Sequence, residues 1–90
     1  MTTTFRPADR FGPVLTGRTV AADLRHEIED RVANGEHVIL DFSHVSMISP
    51  SFADELFAKM PHSAWQSQVT VAHLSDTMAR FAKFVIANRD

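Results

Sequence analysis

The stretch that decides the fold is VILDFSHVSMISPSFADELF, residues 38–57. It opens with a short apolar run at 38–42, which is typical of a central strand buried on both faces and therefore parallel to a neighbour. A helix is predicted to follow Ser49, because proline suits the first helical position and the residue before Pro50 is pushed to the extended geometry of an N-cap. Ser51 is the alternative cap. A buried strand, a loop and a helix in this order indicate an α/β unit.

The helix that starts here has one apolar face and an acidic first turn. Asp54 and Glu55 fall in that turn, where the helix dipole favours negative charge, and Pro61 is predicted to end the helix. The apolar residues recur at helical spacing, which predicts that they face the core. They are Phe52, Ala53, Leu56, Phe57 and Met60.

Upstream, the chain predicts a longer helix over about residues 17–34. Thr16 is a suitable N-cap, and Asn34 and Gly35 both tolerate the left-handed conformation that ends many helices. The apolar positions repeat at steps of three and four, which is one helical face. They are Val20, Ala21, Leu24, Ile28 and Val32.

Two short strands are predicted before that helix. The threonines at positions 2–4 favour a strand, Pro7-Ala8-Asp9 predicts a turn, and residues 11–15 form a second short strand in which Pro13 is confined to an edge or to the first positions.

After the second helix, residues 62–68 are a polar connection that contains Trp65, and residues 69–74 read as a strand. Ser75 or Asp76 is predicted to cap a last helix. Its inward residues are Met78, Phe81, Ala82 and Val85. The alternation of strands and helices predicts an α/β fold, with a small mixed sheet of about four strands and three helices packed on it.

Composition excludes several classes of protein. The 90 residues include no cysteine, which rules out disulfides and thiolate chemistry. The net charge is −2, and the chain lacks the basic stripe that a general nucleic-acid binder usually shows. No apolar run approaches the length of a membrane span, and the N-terminus lacks the layout of a signal peptide. These features predict one cytoplasmic domain over residues 1–90 that binds neither nucleic acid nor membrane.

The middle of the chain resembles the STAS-like domain family. The resemblance lies in an apolar strand that ends Asp41-Phe42, a short loop, and the helix start SFADEL at residues 51–56. Residues 11–12, 15 and 18–21 resemble the upstream element of that family, so the similarity covers roughly residues 11–60. It implies a STAS-like fold.

The family has no settled molecular function, but its broader relatives include bacterial anti-sigma-factor antagonists. Those proteins bind a small ATPase-fold kinase and are switched off by phosphorylation of a serine at the start of the equivalent helix. Alignment of the strands places that serine at Pro50, which cannot be phosphorylated, and the usual acidic residue before it at Ser49. Ser51 falls on the serine that follows. The resemblance therefore implies Ser49 and Ser51 as candidate phosphoacceptors, against the alternative that their hydroxyls only cap the helix.

The same resemblance implies a contact surface for a protein partner on the loop 43–51 and the first helical turn. The candidate contacts are Ser46, Met47, Asp54 and Glu55. For the two acidic residues the alternative is a solvated helix start that the dipole favours. Arg18 resembles a recurrent arginine ahead of the first helix, and is expected either to pair with a nearby carboxylate or to contact an anion or partner.

Asp41 closes a buried strand, so its carboxylate must find hydrogen-bond partners. We expect it to accept from the amides of the loop 43–48 and to fix that loop. No histidine or second carboxylate stands at metal-ligand spacing, and three isolated glycines do not make a phosphate loop. A triad of Ser49, His44 and Asp41 can be written down, but their spacing does not support it. No catalytic, metal-binding or cofactor-binding residue is predicted.

The leading hypothesis is a non-enzymatic regulatory module that acts in bacterial signalling or transcription regulation. Its expected partner is an ATPase-fold, histidine-kinase-like protein or an anti-sigma-like protein. The alternative is a domain that senses a small ligand or nucleotide in the crevice where strand ends meet helix starts. An enzyme is the least favoured hypothesis. The sequence does not decide whether the domain forms a homodimer through an exposed sheet edge.

Overall fold

The computed structural model describes residues 1–59 and 67–87. In chain order the elements are β1 (Thr2–Phe5), α1 (Pro7–Phe11), β2 (Val14–Leu15), α2 (Arg18–Ala33), β3 (His37–Asp41), β4 (Met47–Ile48), α3 (Pro50–Ala53) with a π-helical continuation (Asp54–Ala58), β5 (Val69–Ala72) and α4 (Asp76–Ala87). Met60, Pro61 and Trp65 lie outside the described residues, and so do the side chains of Ala82 and Val85.

The strand at the centre of the main sheet is β3, as the apolar run predicts. The sheet order is β1-β3-β5, and β3 runs parallel to both neighbours. Its Leu40 pairs with Phe5 on one side and with Val71 on the other. A second, two-stranded sheet pairs β2 with β4, also in parallel. The prediction of one mixed sheet with about four strands and three helices was therefore wrong in detail. The described residues contain five strands in two sheets and four helices, because short segments at residues 7–11 and 47–48 are also regular.

The main sheet is buried on one face rather than on both. Val38 and Leu40 of β3 are fully buried in the core. Ile39, on the opposite face, is only half-buried, and its neighbours in the register, Thr4 and Thr70, are exposed. Side chains alternate between the two faces of a strand, so the threonines of the flanking strands leave the second face polar. The expectation of a strand buried on both faces was wrong for this reason.

Two local predictions also need correction. The segment Pro7–Phe11 is a short helix rather than a turn, with proline at its first position. The N-cap of α2 is Gly17 rather than Thr16, and no side chain caps this end. Gly17 has a φ of 90°, a left-handed conformation that glycine adopts readily, and it turns the chain from β2 into the helix. The predicted end of α2 is confirmed, since Gly35 follows it with a φ of 79°.

The core lies between the buried sheet face and the helices. Helix α3 with its π-helical continuation packs against both α2 and α4, and Ser75 caps α4 by accepting a hydrogen bond from the amide of Met78 at 3.2 Å. The largest fully buried side chains are Phe42, Phe52, Leu15, Leu24, Ile28, Leu40, Leu56, Val38 and Pro7. Met78 and Phe81 of α4 pack on this core and are partly buried.

Candidate functional site

The site starts at the N-terminus of α3, where the sequence places the cap correctly. Ser49 is extended, with φ −75° and ψ 157°, and its Oγ accepts a hydrogen bond from the amide of Phe52 at 3.1 Å. The hydroxyls of Ser49 and Ser51 lie 3.2 Å apart, within hydrogen-bond distance. Both serines are half-buried. The two candidate phosphoacceptors therefore contact each other, and Ser49 also serves as the helix cap.

Arg18, at the start of α2, pairs with the acidic residues Asp54 and Glu55 of the π-helical continuation of α3. Its Nη1 donates to Asp54 Oδ2 at 2.8 Å and lies 3.6 Å from Glu55 Oε1. The hydrogen bond to Asp54 is the main reason why the pKa of Arg18 rises above its ordinary value. The Arg18 side chain is 55% exposed, so this pair lies at the surface between α2 and α3. The structure thus gives Arg18 the carboxylate partner that the sequence offers as one of two possibilities.

Glu55 is buried, which contradicts the expectation of a solvated helix start. Its side chain is only 7% exposed, and its carboxylate accepts from Lys59 Nζ at 2.8 Å and from Arg25 Nη2 at 3.1 Å. The hydrogen bond from Lys59, with that from Arg25, holds the pKa of Glu55 below its usual value despite burial.

The local geometry explains why Glu55 is buried. Residues Asp54–Ala58 form a π-helical turn in which three consecutive side chains, Glu55, Leu56 and Phe57, are buried. A helix that packs against one neighbour buries one stripe, whereas this one packs against α2 and α4. Sequence reasoning placed Glu55 on the surface because it assumed a single buried face.

An apolar groove lies on the other side of the α3 start. It has a volume of about 370 Å³ and is lined by Ser46, Met47, Ile48, Pro50, Thr77, Met78 and Phe81. Met47 is 51% exposed, and its partner in the β2–β4 register, Val14, is 46% exposed. Ser46 is held in place because its amide and its hydroxyl both donate to the carbonyl of Pro13.

The structure thereby divides the predicted contact residues into two groups. Ser46 and Met47 line the apolar groove against α4. Asp54 and Glu55 face the arginines of α2 instead. Of these four, Glu55 exposes the least surface to a partner, since Arg25 and Lys59 hydrogen-bond to its carboxylate and Arg18 lies nearby. The contribution of α4 to the groove, through Met78 and Phe81, is absent from the sequence prediction because only tertiary packing brings α4 there.

Asp41 forms a second polar cluster, at the carboxyl edge of the main sheet. Its Oδ1 accepts from the Ser43 amide at 2.9 Å, the Ser43 hydroxyl at 2.6 Å and His73 Nδ1 at 2.8 Å. Its Oδ2 accepts from Arg6 Nε at 3.2 Å. The two hydrogen bonds from Ser43 are the main cause that lowers the pKa of Asp41 far below its ordinary value, and His73 and Arg6 add to it. The predicted hydrogen bonding to the loop is present and comes from Ser43.

Sequence reasoning missed Arg6 and His73 as members of this cluster. Each directly follows a strand that is parallel to β3, and the carboxyl ends of parallel strands meet at one edge. The position of a residue directly after β1, β3 or β5 was therefore the signal for membership of this cluster. That signal could be used only once the order of the strands in the sheet was known. His73 also has a φ of 58°, a left-handed conformation that is uncommon for residues other than glycine.

Other kinds of site find no support in the part of the chain that the structure describes. Within it, no group of three or more histidine, cysteine or acidic side chains is placed to hold a metal ion. The helices at residues 1–59 and 67–87 include none that combines the length and the apolar character needed to cross a membrane.

Comparison with known proteins places the chain in a family. No curated protein and no solved structure matches it significantly. The sequence profile of one family, described as a STAS-like domain of unknown function (DUF4325), matches residues 20–79. The match extends from α2 through the α3 start and β5 into α4, and so includes most of the groove and the Glu55 ion pairs. The chain belongs to this family of STAS-like domains.

Proposed function

We propose that this domain is a non-enzymatic regulatory module that binds another protein through the apolar groove beside the start of α3. The observation that carries the proposal is the exposure of Met47, at 51%, in a groove that Pro50, Met78 and Phe81 also line. Exposed apolar surface with a polar rim is typical of a protein-binding site. Ser46 and Thr77 supply polar atoms in that rim.

The structure also gives reasons why such a surface would be well defined. The chain positions Met47 through two fixed points, the short β2–β4 ladder and the capped helix start at Ser49. On the far side of α3, Glu55 is bonded to Arg25 of α2 and to Lys59. A partner that docks on a surface held in this way loses little conformational freedom in the domain.

The partner we propose is an ATPase-fold, histidine-kinase-like protein or an anti-sigma-like protein. The support is the STAS-like family, whose broader relatives include the anti-sigma-factor antagonists, together with the position of the groove at the equivalent helix start. Under this proposal the domain acts in bacterial signalling and transcription regulation, inside the cytoplasm.

Phosphorylation of Ser51 would add charge beside this surface, on the side of the α3 start that carries the Arg18–Asp54 ion pair. Ser51 precedes Asp54 by three residues, so the two side chains share a helical face. A phosphate on Ser51 would add up to two negative charges there and would compete with Asp54 for the exposed Arg18 guanidinium. Ser49 is the second candidate, although its Oγ already accepts the capping hydrogen bond.

Capture of the partner from the native cytoplasm, with the full chain as bait, tests the proposal. Met47→Lys places a charge in the groove at an exposed position and is expected to abolish capture without unfolding the domain. Thr4→Lys is the matched control, since Thr4 is exposed on the open face of the main sheet. Equal capture of a specific partner by wild type, Met47→Lys and Thr4→Lys would contradict the proposed surface.

A separate measurement tests the modification. The captured kinase and ATP are expected to raise the intact mass of the wild-type domain by one phosphate, and Ser51→Ala is expected to remove this increase. Labelling that survives in the double variant Ser49→Ala/Ser51→Ala would contradict a phosphoacceptor at the helix start, while the docking proposal would stand.

A further inference from the structure

The carboxyl edge of the main sheet carries a polar cluster that the protein-binding surface does not use. Arg6, Asp41 and His73 come from three different strand ends, and Asp41 joins them, with Arg6 on Oδ2 at 3.2 Å and His73 on Oδ1 at 2.8 Å. The carboxyl ends of the parallel strands β1, β3 and β5 meet at this edge, so residues that directly follow different strands lie side by side. The cluster therefore combines polar side chains from three separate parts of the chain at one edge of the sheet.

Both side chains that Asp41 holds are largely exposed. The side chains of Arg6 and His73 are 57% and 68% exposed, whereas that of Asp41 is 9% exposed. No hydrogen bond within residues 1–59 and 67–87 uses the terminal nitrogens of Arg6 or Nε2 of His73. Asp41 thus fixes one nitrogen of each side chain, and the described residues leave the other nitrogens without a bond.

We propose that Arg6 and His73 form a binding site for the phosphate group of a small phosphorylated ligand, with Asp41 as the positioning residue. A guanidinium offers parallel N–H donors that match the oxygens of a phosphate. His73 adds a second donor from the neighbouring strand end.

The protonation state of His73 decides which donors the site offers to an anion. The charges of Arg6 and Asp41 offset each other, so His73 decides whether the cluster carries net positive charge. Because Asp41 is an ionised acceptor, the neutral imidazole carries its proton on Nδ1. Nε2 then has no proton to donate, and it becomes a donor to an anion only when the ring is protonated.

The surrounding elements supply few other charges to this cluster. The nearest titratable residues along the chain are Asp9 in α1, His44 after Ser43, and Asp76 at the start of α4, and all three are exposed. None of them forms an ion pair with Arg6, Asp41 or His73 in the described part of the chain. The protonation of His73 is accordingly the change that we expect to control anion binding.

Titration of the ¹⁵N-labelled full chain with sulfate, followed by amide chemical shifts, tests the site. Sulfate keeps its two charges between about pH 5.5 and about pH 8, the range over which histidine side chains titrate, so only the protein changes protonation. We expect saturable shifts at Arg6, Ser43 and His73, with affinity at least about fivefold higher at the lower pH, since one charge-assisted hydrogen bond is gained.

Two variants and a control identify the donors. Arg6→Ala and His73→Gln are each expected to weaken sulfate binding about tenfold, and His73→Gln is expected to remove the pH dependence. Arg10→Ala is the matched control, because Arg10 is an exposed arginine of α1 that pairs with Glu27 instead. Non-saturable shifts, shifts away from this edge, or wild-type affinity in both donor variants would overturn the site.

The source of the phosphate is resolved by two further titrations. Inorganic phosphate and adenosine monophosphate are compared at one pH, with the same variants. Tighter binding of the nucleotide, with additional shifts beyond the three residues, assigns the site to a phosphate ester. Equal affinities assign it to free phosphate. Binding of neither ligand, when sulfate also fails, overturns the proposal and leaves the docking surface at Met47 unaffected.

Discussion

Arg25 of α2 donates from Nη2 to Oε2 of Glu55 at 3.1 Å, and both side chains are largely buried between α2 and α3. This ion pair joins the first long helix to the π-helical turn behind the proposed docking surface. Removal of one partner leaves an uncompensated buried charge, which is costly. The pair therefore connects the stability of the domain to the geometry of its candidate site.

Glu55→Ala is predicted to destabilise the domain by about 3 kcal/mol, because it removes the buried carboxylate that Arg25 and Lys59 share and leaves Arg25 with only the more exposed Glu29. Chemical denaturation followed by circular dichroism measures the free energy of unfolding. The matched control is Glu29→Ala, which removes the other carboxylate on Arg25, at 3.0 Å, from a half-exposed position. We expect that control to lose less than about 1 kcal/mol. Similar losses in the two variants would show that the buried Arg25–Glu55 pair contributes no more to the free energy of unfolding than the more exposed Arg25–Glu29 pair.

The two arginines that face the start of α3 are predicted to differ in their effects. Arg25→Ala is expected to lower the unfolding midpoint clearly, because the Arg25 side chain is 14% exposed. Arg18→Ala is expected to leave the midpoint close to that of the wild type, since Arg18 is 55% exposed and water replaces its ion pair. Thermal melts of both variants check this order. A larger loss in Arg18→Ala would contradict the assignment of Arg18 to the surface.

Stability is predicted to fall in acid. Folding lowers the pKa of both Asp41 and Glu55, so each carboxylate stabilises the folded state at a pH above its unfolded pKa. That stabilisation is lost as the pH drops below about 4 toward the folded pKa values. Denaturant midpoints recorded from neutral pH downward measure the loss. Asp41→Asn, which has no carboxylate to protonate, is expected to show a shallower decline, and an unchanged slope in this variant would argue against the Asp41 contribution.

Ser49→Ala is predicted to cost about 1 kcal/mol, because Ser49 Oγ caps the α3 amide of Phe52. Ser51→Ala is the control: its hydroxyl contacts Ser49 Oγ at 3.2 Å, and Ser49 still caps the helix without it. We expect a loss of less than about 0.5 kcal/mol there. Denaturation curves of the two variants measure this difference. Equal losses would mean that the two hydroxyls stabilise the helix start as a unit.

The central part of the fold was predictable from local sequence. The apolar run at residues 38–42 gave a central parallel strand, and the Ser49-Pro50 pair gave the correct start of α3. Both signals act over a few residues, through backbone sterics and capping, and need no knowledge of distant parts of the chain. The apolar face of α2, with Leu24 and Ile28 buried, is predictable for the same reason.

The failures have a common physical cause. The opposite face of β3 depends on the residues that flank Ile39 in the sheet, and these are threonines from strands distant in sequence. Burial of Glu55 depends on contact with two helices rather than one. In each case the environment of a residue is set by elements whose positions the local pattern does not contain.

The sequence by itself determined the family, the order of the longer strands and helices, and the helix start around which the candidate site is built. Only the tertiary structure decided that Met47 shares a groove with α4, that Glu55 is a buried partner of Arg25, and that Arg6 and His73 meet on Asp41. Capping and periodicity act between near neighbours. Grooves and strand-edge clusters combine residues separated by more than thirty positions, as Arg6 and Asp41 are, and parallel strand pairing brings such residues together.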